Sequence, residues 1–284
     1  PQLGERRRAL SDDGLFGPLV RTRLRVVTWN LWWRFGPWEE RAPAILATLR
    51  ELDPDVCLLQ EVWDDGGRNQ AAELAESLGG YHHVYGSRIR HDGVAFGNAV
   101  VARWPIVDSG VRDLPDLDGD EEGRTVVRAE IDGPRGRVEA FSTHLHWRLH
   151  DGHVRQAQAA ELCRFVAETR DGRTVPPIVG GDFNADPDSD EIRALTGKRQ
   201  TYVPRQAFID AWEAAGEGAG HTWSLDNPYA VLDLEPPRRI DYLLVGYPKR
   251  GGVGHVTDVR TSGLDPVDGV VPSDHLAVVA DLRY

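Results

Sequence analysis

Pro177-Ile178-Val179-Gly180-Gly181-Asp182-Phe183-Asn184-Ala185-Asp186-Pro187 is a short apolar run that delivers two glycines, a carboxylate and an amide in quick succession. Ile178 and Val179 read as a buried strand that opens onto a loop. Gly180 and Gly181 let another group approach the backbone closely, or let the chain take a positive φ. In an extended chain Asp182 and Asn184 share one face and Phe183 takes the other. A carboxylate and an amide donor on one face can position a water and hold an anion. The same residues also suit a turn in which Asp and Asn bond their own backbone.

The segments on either side place this stretch in an α/β chain. Arg137 to His144 reads as a strand, paired in a hairpin with Thr125 to Ile131 across Gly133-Pro134-Arg135-Gly136. A helix from about His153 to Thr169, with Ala159, Leu162, Cys163 and Val166 on its buried stripe, then returns the chain to Ile178. The same strand-helix-strand order occurs earlier. Leu24 to Leu31 alternates as a strand, Trp38 to Leu52 carries Ala42, Ile45, Leu46 and Leu49 at helical spacing, and Val56 to Glu61 is a near-continuous apolar strand ending in a charge. Asn69 to Leu78 is a second helix, with strands following at Tyr81 to Tyr85 and Val94 to Ala102, and Asp113 to Gly123 reads as a solvated acidic loop. Beyond the opening stretch come a short helix at Asp210-Ala211-Trp212 and strands at Arg239 to Val245 and Leu276 to Leu282. Residues 1–22 read as a polar extension, with Leu15, Phe16, Leu19 and Val20 placed to dock on the body, and 23–284 as one catalytic domain.

The chain has 284 residues, 40% of them hydrophobic, which is enough for a sizeable core in one large layered domain. Its net charge of −12 speaks against tight binding to a nucleic-acid backbone through a basic face. It leaves phosphate substrates open, because a bound divalent cation inverts the local field of a carboxylate cluster. Cys57 and Cys163 sit in apolar patterns and read as two separately buried thiols. No run of 18 apolar residues marks a membrane span, and Arg6-Arg7-Arg8 with Asp12-Asp13 lacks the apolar region of a signal peptide. The expectation is a cytoplasmic monomer, with secretion after leader removal as the other possibility.

Collected at the strand ends are Asn30, Glu61, His144, Asp182, Asn184, Asp241, Asp274 and His275. Four carboxylates, two amides and two imidazoles suit a hard, oxygen-ligated divalent cation flanked by acid-base groups. Zinc fits less well, since no closely spaced His and Cys ligands occur, and there is no Gly-Lys-Ser/Thr phosphate loop. Paired carboxylates with Trp stacking could also serve a glycosidase, but a glycosidase needs neither the two histidines nor Asn184.

Six segments in order carry a resemblance: Thr28-Trp29-Asn30, Gln60-Glu61, Ser142-Thr143-His144-Leu145, Gly181-Asp182-Phe183-Asn184, Arg239-Ile240-Asp241-Tyr242 and Ser273-Asp274-His275. Over residues 24–284 the chain resembles the endonuclease/exonuclease/phosphatase superfamily, which includes pancreatic deoxyribonuclease, AP endonucleases, neutral sphingomyelinases and inositol polyphosphate 5-phosphatases. The resemblance implies a four-layer α/β/β/α sandwich of two mixed, mostly antiparallel sheets with outer helices, and a site at one edge. It implies hydrolysis of a phosphate ester, whether in nucleic acid, phospholipid or a small phosphorylated metabolite. Glu61, supported by Asn30 and Asp274, would hold Mg²⁺ or Mn²⁺. Asp182 would orient and deprotonate the attacking water, Asn184 would donate to the developing oxyanion, His275 would be oriented by Asp241, and His144 would act from the other side of phosphorus. AP endonucleases carry Tyr where this chain has His144, so it looks unlike an abasic-site repair enzyme. The carboxylate that pairs with this His in deoxyribonuclease is not found, and Gly97-Asn98 occupies its region. Asn98 is thus a candidate to orient His144 or contact phosphate. Trp32, Trp33, Trp38 and Trp147 are candidates for an aromatic rim, with packing under neighbouring loops as the alternative. Arg124 and Arg155 are candidates for phosphate contact, with ion pairing as the alternative. A catalytically silent binding module on the same fold is disfavoured because no site position has been replaced.

Overall fold

The computed structural model describes residues 19–117, 119, 122–169 and 175–284. In chain order the elements are β1 (Arg23–Asn30), α1 (Trp38–Leu52), β2 (Val56–Asp64), α2 (Gln70–Ser77), β3 (His82–His91) and β4 (Val94–Ala102). There follow β5 (Ile106–Asp113), β6 (Thr125–Gly133), β7 (Gly136–His144), α3 (Gly152–Thr169), β8 (Ile178–Asp182) and α4 (Asp190–Leu195). The last are β9 (Phe208–Asp210), α5 (Ala211–Ala215), β10 (Asp241–Gly246), β11 (Val256–Ser262) and β12 (Ala277–Arg283).

The strands form two six-stranded sheets, ordered β11-β12-β1-β2-β4-β3 and β5-β6-β7-β8-β10-β9. Each sheet has one parallel pair at its centre, β1 with β2 and β7 with β8, and antiparallel pairs elsewhere. Parallel neighbours need a crossover, and α1 and α3 supply one for each pair. Leu58 and Val100 of the first sheet and Val127, Ala140 and Ile178 of the second are wholly buried in one shared core. The opposite face of the first sheet packs Val27, Cys57 and Val101 with Leu49 of α1 and Leu74 of α2. That of the second packs Phe141 and Val179 with Leu162 and Val166 of α3. The result is the four-layer α/β/β/α sandwich. Gly180 sets how closely the sheets approach: a Cβ there would lie 2.6 Å from Leu58 Cδ1 and 3.0 Å from Thr28 Cβ. Cys57 and Cys163 are separately buried thiols.

Several elements differ from the sequence reading. β3 runs to His91, and β5, β9 and β11 carry too little apolar pattern to be read as strands. β3, β5, β9 and β11 are the four sheet edges, where a strand covers less apolar surface and tolerates polar residues. Asp210 ends β9 and caps α5 by accepting from the Trp212 amide, so the short helix starts one residue later than its acidic cap. On α1 the buried stripe is Arg41, Ala44, Ile45, Thr48, Leu49 and Leu52, while Ala42 is exposed. Leu15 and Phe16 lie outside the described residues. Val20 does dock on the body, its amide donating to Gly251 O and its carbonyl accepting from Arg283. No helix among the described residues is long and apolar enough to cross a membrane.

Candidate active site

The topology brings the strand ends together. β1 ends with Asn30 opposite Gln60 of β2, and β7 and β8 end with His144 opposite Asp182. β10 runs antiparallel to β8, so it begins at the same edge with Asp241 opposite Asp182, and His275 lies two residues before the antiparallel β12. Residues from both sheets therefore meet at one edge, lining a cleft of about 750 Å³ that includes Glu61, His144, Asp182, Asn184, Asp274 and His275.

Two local distortions aim the side chains. The pairing of β2 with β4 shifts register between Leu59 and Val62, and Glu61 within that bulge has φ +53°. A bulge re-aims a side chain that regular pleating would send elsewhere. Asn184 does not reach the site on an extended strand. It has φ +51°, and its amide donates to Asp182 Oδ1 at 2.9 Å, so the backbone turns and the turn itself delivers the Asn184 side chain. The opening stretch is thus both strand and Asx turn.

At the centre, Asn30 Nδ2 donates to Glu61 Oε1 and to Asp182 Oδ2, both at 3.1 Å, while Asn30 Oδ1 accepts from the Trp32 amide. Asn30 consequently fixes two carboxylates as a donor, and its own oxygen is engaged elsewhere. Asn184 Nδ2 donates to Leu145 O and lies 3.1 Å from His144 Nε2. With Nε2 as acceptor of that bond, Nδ1 carries the proton, and Nδ1 is buried without a partner among the described residues. His275 Nδ1 meets Asp241 Oδ2 at 2.9 Å, its Nε2 lies 3.8 Å from Asp182 Oδ2, and the Trp223 ring meets it edge-on at 4.9 Å.

The two imidazoles are driven in opposite directions. Burial, then Arg124 and His275, hold His144 far below the ordinary imidazole range, so it is neutral. Burial also acts against charge on His275, but Asp241, Asp182 and Asp274 outweigh it and hold the group well above that range. Environments that push paired groups apart assign a donor of charge and a neutral partner. Burial, reinforced by Asp241, pushes Asp182 up to about 7, and burial with the charge of Glu61 pushes Asp274 up to about 7. Burial raises Glu61 as well.

Two groupings could hold a cation. Asp182, Asp241 and His275 offer ligand atoms within 4.8 Å of one another. There the positive charge is already supplied by the imidazolium, whose Nδ1 is bonded to Asp241. The charge of Glu61 raises Asp274, and Glu61 Oε2 is buried without a hydrogen-bond partner among the described residues. Two hard oxygen donors facing one cleft suit a hard divalent cation.

The remaining candidates are placed as follows. Asn98 is buried and donates to Thr125 O and Oγ1, with no bond to His144. Arg155 is buried and bonded to Glu191 at 2.5 Å and to the Arg148 carbonyl, which fixes the loop after β7 and leaves it outside the cleft lining. Trp32 and Trp147 line the cleft, and Trp147 is 55% exposed. Trp33 is half-buried and donates to Ala95 O, and Trp38 packs edge-on against Trp63. Arg124 lines the cleft and pairs with Glu122, yet its Nη1 is buried without a hydrogen-bond partner among the described residues. The sequence reading missed Arg41. Its guanidinium is 1% exposed and donates to five carbonyls, those of Leu31, Trp32, Trp33, Phe35 and Pro272. It thereby ties the loop after β1 to the segment that carries Asp274. A cation at i, i+4, i+8 with Ile45 and Leu49 on an apolar stripe was the available signal.

Over residues 27–275 the sequence matches the Endonuclease/Exonuclease/phosphatase family. The chain belongs to that family. Its members are hydrolases of phosphate esters that typically use divalent metals. The chain is 34% identical to Protein angel homolog 2 of Bos taurus over 164 residues, 54% of this chain and 30% of that protein. It is 30% identical to inositol phosphosphingolipids phospholipase C of Schizosaccharomyces pombe over 183 residues, 58% of this chain and 42% of that protein. It thus spans less than half the length of these curated relatives. An endonuclease/exonuclease/phosphatase from Beutenbergia cavernae superposes with TM-score 0.69 at 28% identity, covering 93% of this chain and 72% of that one. D. rerio TDP2, solved with a single-strand DNA product, shares the fold with TM-score 0.73 at 18% identity, covering 93% and 100%.

Proposed function

We propose that the protein is a metal-assisted phosphodiesterase that hydrolyses its substrate with an activated water. The observation that carries this reading is the pair of histidines, His144 held by Asn184 and His275 held by Asp241, facing the same cleft as the carboxylates Glu61, Asp182 and Asp274. Glu61 and Asp274 would hold the divalent cation, with Asn30 fixing Glu61 by hydrogen bond. When bound, the cation supplies charge neutralisation at a phosphoryl oxygen.

The chain's own groups supply the rest. Asp182, fixed by Asn30 and by the Asn184 amide, accepts the proton of the attacking water. The neutral His144 donates from Nδ1 to a non-bridging oxygen, and Asn184 orients the ring through Nε2. His275, held charged by Asp241, neutralises the developing negative charge and can pass a proton to the leaving oxygen. Arg124 would present Nη1, without a hydrogen-bond partner among the described residues, to the same anion. Acid-base assistance of this kind is worth roughly 10²- to 10⁴-fold in rate.

The test is hydrolysis of bis-p-nitrophenyl phosphate against p-nitrophenyl phosphate with Mg²⁺, with Mn²⁺ and with chelator, for wild type and His144→Ala. The expected outcome is metal-dependent turnover of the diester, reduced by about 10²-fold or more in the variant. Preference for the monoester would replace this reading with a phosphatase, and turnover that survives chelation would remove the metal.

A further inference from the structure

We propose that the loops around the mouth of the cleft form a docking surface for a zwitterionic lipid bilayer, which presents the diester to the site. This deepens, and rests on, the phosphodiesterase reading. Of the eleven large hydrophobic side chains exposed among the described residues, seven lie on three loops at the catalytic edge. Phe35 is on the loop after β1, Trp147 and Leu149 on the loop after β7, and Leu225, Val231, Leu232 and Leu234 on the segment before β10. Phe35 and Trp147 line the cleft, and Leu149, Leu232 and Leu234 each adjoin a lining residue in the chain.

The segment Leu232-Asp233-Leu234-Glu235 alternates. Asp233 and Glu235 line the cleft, whereas Leu232 is 77% and Leu234 85% exposed. Leu234 holds φ +58°, in the left-handed region that side chains other than glycine and asparagine rarely adopt. Arg148 lies over the Trp147 ring at 5.3 Å, which gives that rim an apolar body with a polar cap, the composition suited to a water-lipid boundary. A fringe of apolar side chains around a polar opening marks an interaction surface.

The position of the fringe selects its occupant. A second copy seated on it would cover the opening through which substrate enters, whereas a bilayer supplies both the apolar phase and the ester. The charge selects the kind of bilayer. The chain carries −12 overall, Asp233 and Glu235 face the opening, and of the three lining arginines Arg124 and Arg238 are each paired with a carboxylate while Arg148 lies over Trp147. An anionic surface is therefore repelled, and the cationic end of a zwitterionic headgroup meets the carboxylates at the opening.

The experiment is co-sedimentation with phosphatidylcholine vesicles, with and without phosphatidylserine, for wild type and Leu232→Asn/Leu234→Asn, alongside light scattering and bis-p-nitrophenyl phosphate turnover. Asn tolerates the positive φ at position 234. Wild type is expected to partition to phosphatidylcholine, with phosphatidylserine weakening it. The double variant is expected to lose about tenfold per leucine while keeping turnover of the soluble diester. Absence of wild-type partition, partition unchanged in the variant, or a wild-type dimer that the variant dissolves would overturn the docking surface. Partition without diester turnover would leave the docking surface standing and remove the phosphodiesterase, so the two failures are distinct.

Discussion

Gly181→Ala should damage catalysis more than its single methyl suggests. A Cβ at position 181 would fall within contact distance of the Thr143 carbonyl oxygen, 2.9 Å from Thr143 Cγ2 and 3.0 Å from the carbonyl carbon. Two of these three atoms are backbone, so no rotamer relieves the clash. Restoring ordinary separations needs a movement of ~1 Å between β7 and β8. Those strands end in His144 and Asp182, opposite one another, each one residue beyond the clash. Their 3.4 Å contact and the Asn184 turn would open by a similar amount. Overpacking of this kind costs about 1–3 kcal/mol in stability, and a 1 Å misplacement of reacting groups costs roughly 10²-fold in rate. Urea unfolding and kcat on bis-p-nitrophenyl phosphate read the two effects. Gly180→Ala is the control. Its Cβ meets Leu58 Cδ1, Thr28 Cβ and Leu243 Cδ2 across the inter-sheet core, so it should lower stability with a smaller effect on kcat. Wild-type kcat in Gly181→Ala would refute the claim that the β7–β8 spacing sets the geometry of the site.

Two further outcomes concern groups away from the reacting atoms. Arg41→Met leaves five carbonyls without their donor, those of Leu31 and Pro272 in buried bonds, and should cost roughly 3 kcal/mol in urea unfolding. Arg41→Lys should recover only part of that, because an ammonium has three donors and no planar fork; full recovery would show that charge alone matters. Asp281 answers to pH: burial raises its carboxyl, but the Arg25 hydrogen bonds at 2.7 and 2.8 Å, with Arg23 and Arg260, more than offset this and hold it below the ordinary range. A depressed folded value stabilises above the unfolded carboxylate pKa of about 3.9, and the contribution is lost as pH falls through the folded value. Asp281→Asn should therefore lower stability at pH 7 by about 0.5–1 kcal/mol after solvent screening and flatten the acid limb of the stability curve. An unchanged acid limb would remove Asp281 from the linkage.

The sequence alone determined the central strands and the order of the site residues, because a strand buried on both faces and ending in a polar group leaves a mark that neighbours cannot erase. Val56 to Glu61 and Ile178 to Asp182 are such runs. It also placed the two crossovers, since each parallel pair requires a helix of sufficient length. It did not determine β5, β9, β11 or the end of β3, since an edge strand takes its hydrogen bonds from one neighbour and its side chains are free to be polar. Only the tertiary structure decided how the strand ends are aimed. The bulge at Glu61 and the left-handed Asn184 arise from pairing across β2–β4 and from the Asx turn at Asp182, and neither is written in residue periodicity. Nor could the chain alone say that Asn30 acts as a donor between two carboxylates, that Arg155 is spent on Glu191, or that Arg41 is a buried hub. Those roles depend on which carbonyls and carboxylates converge from segments more than 100 residues apart in some cases, as with Arg41 and Pro272, and convergence of that kind exists only once the two sheets have packed.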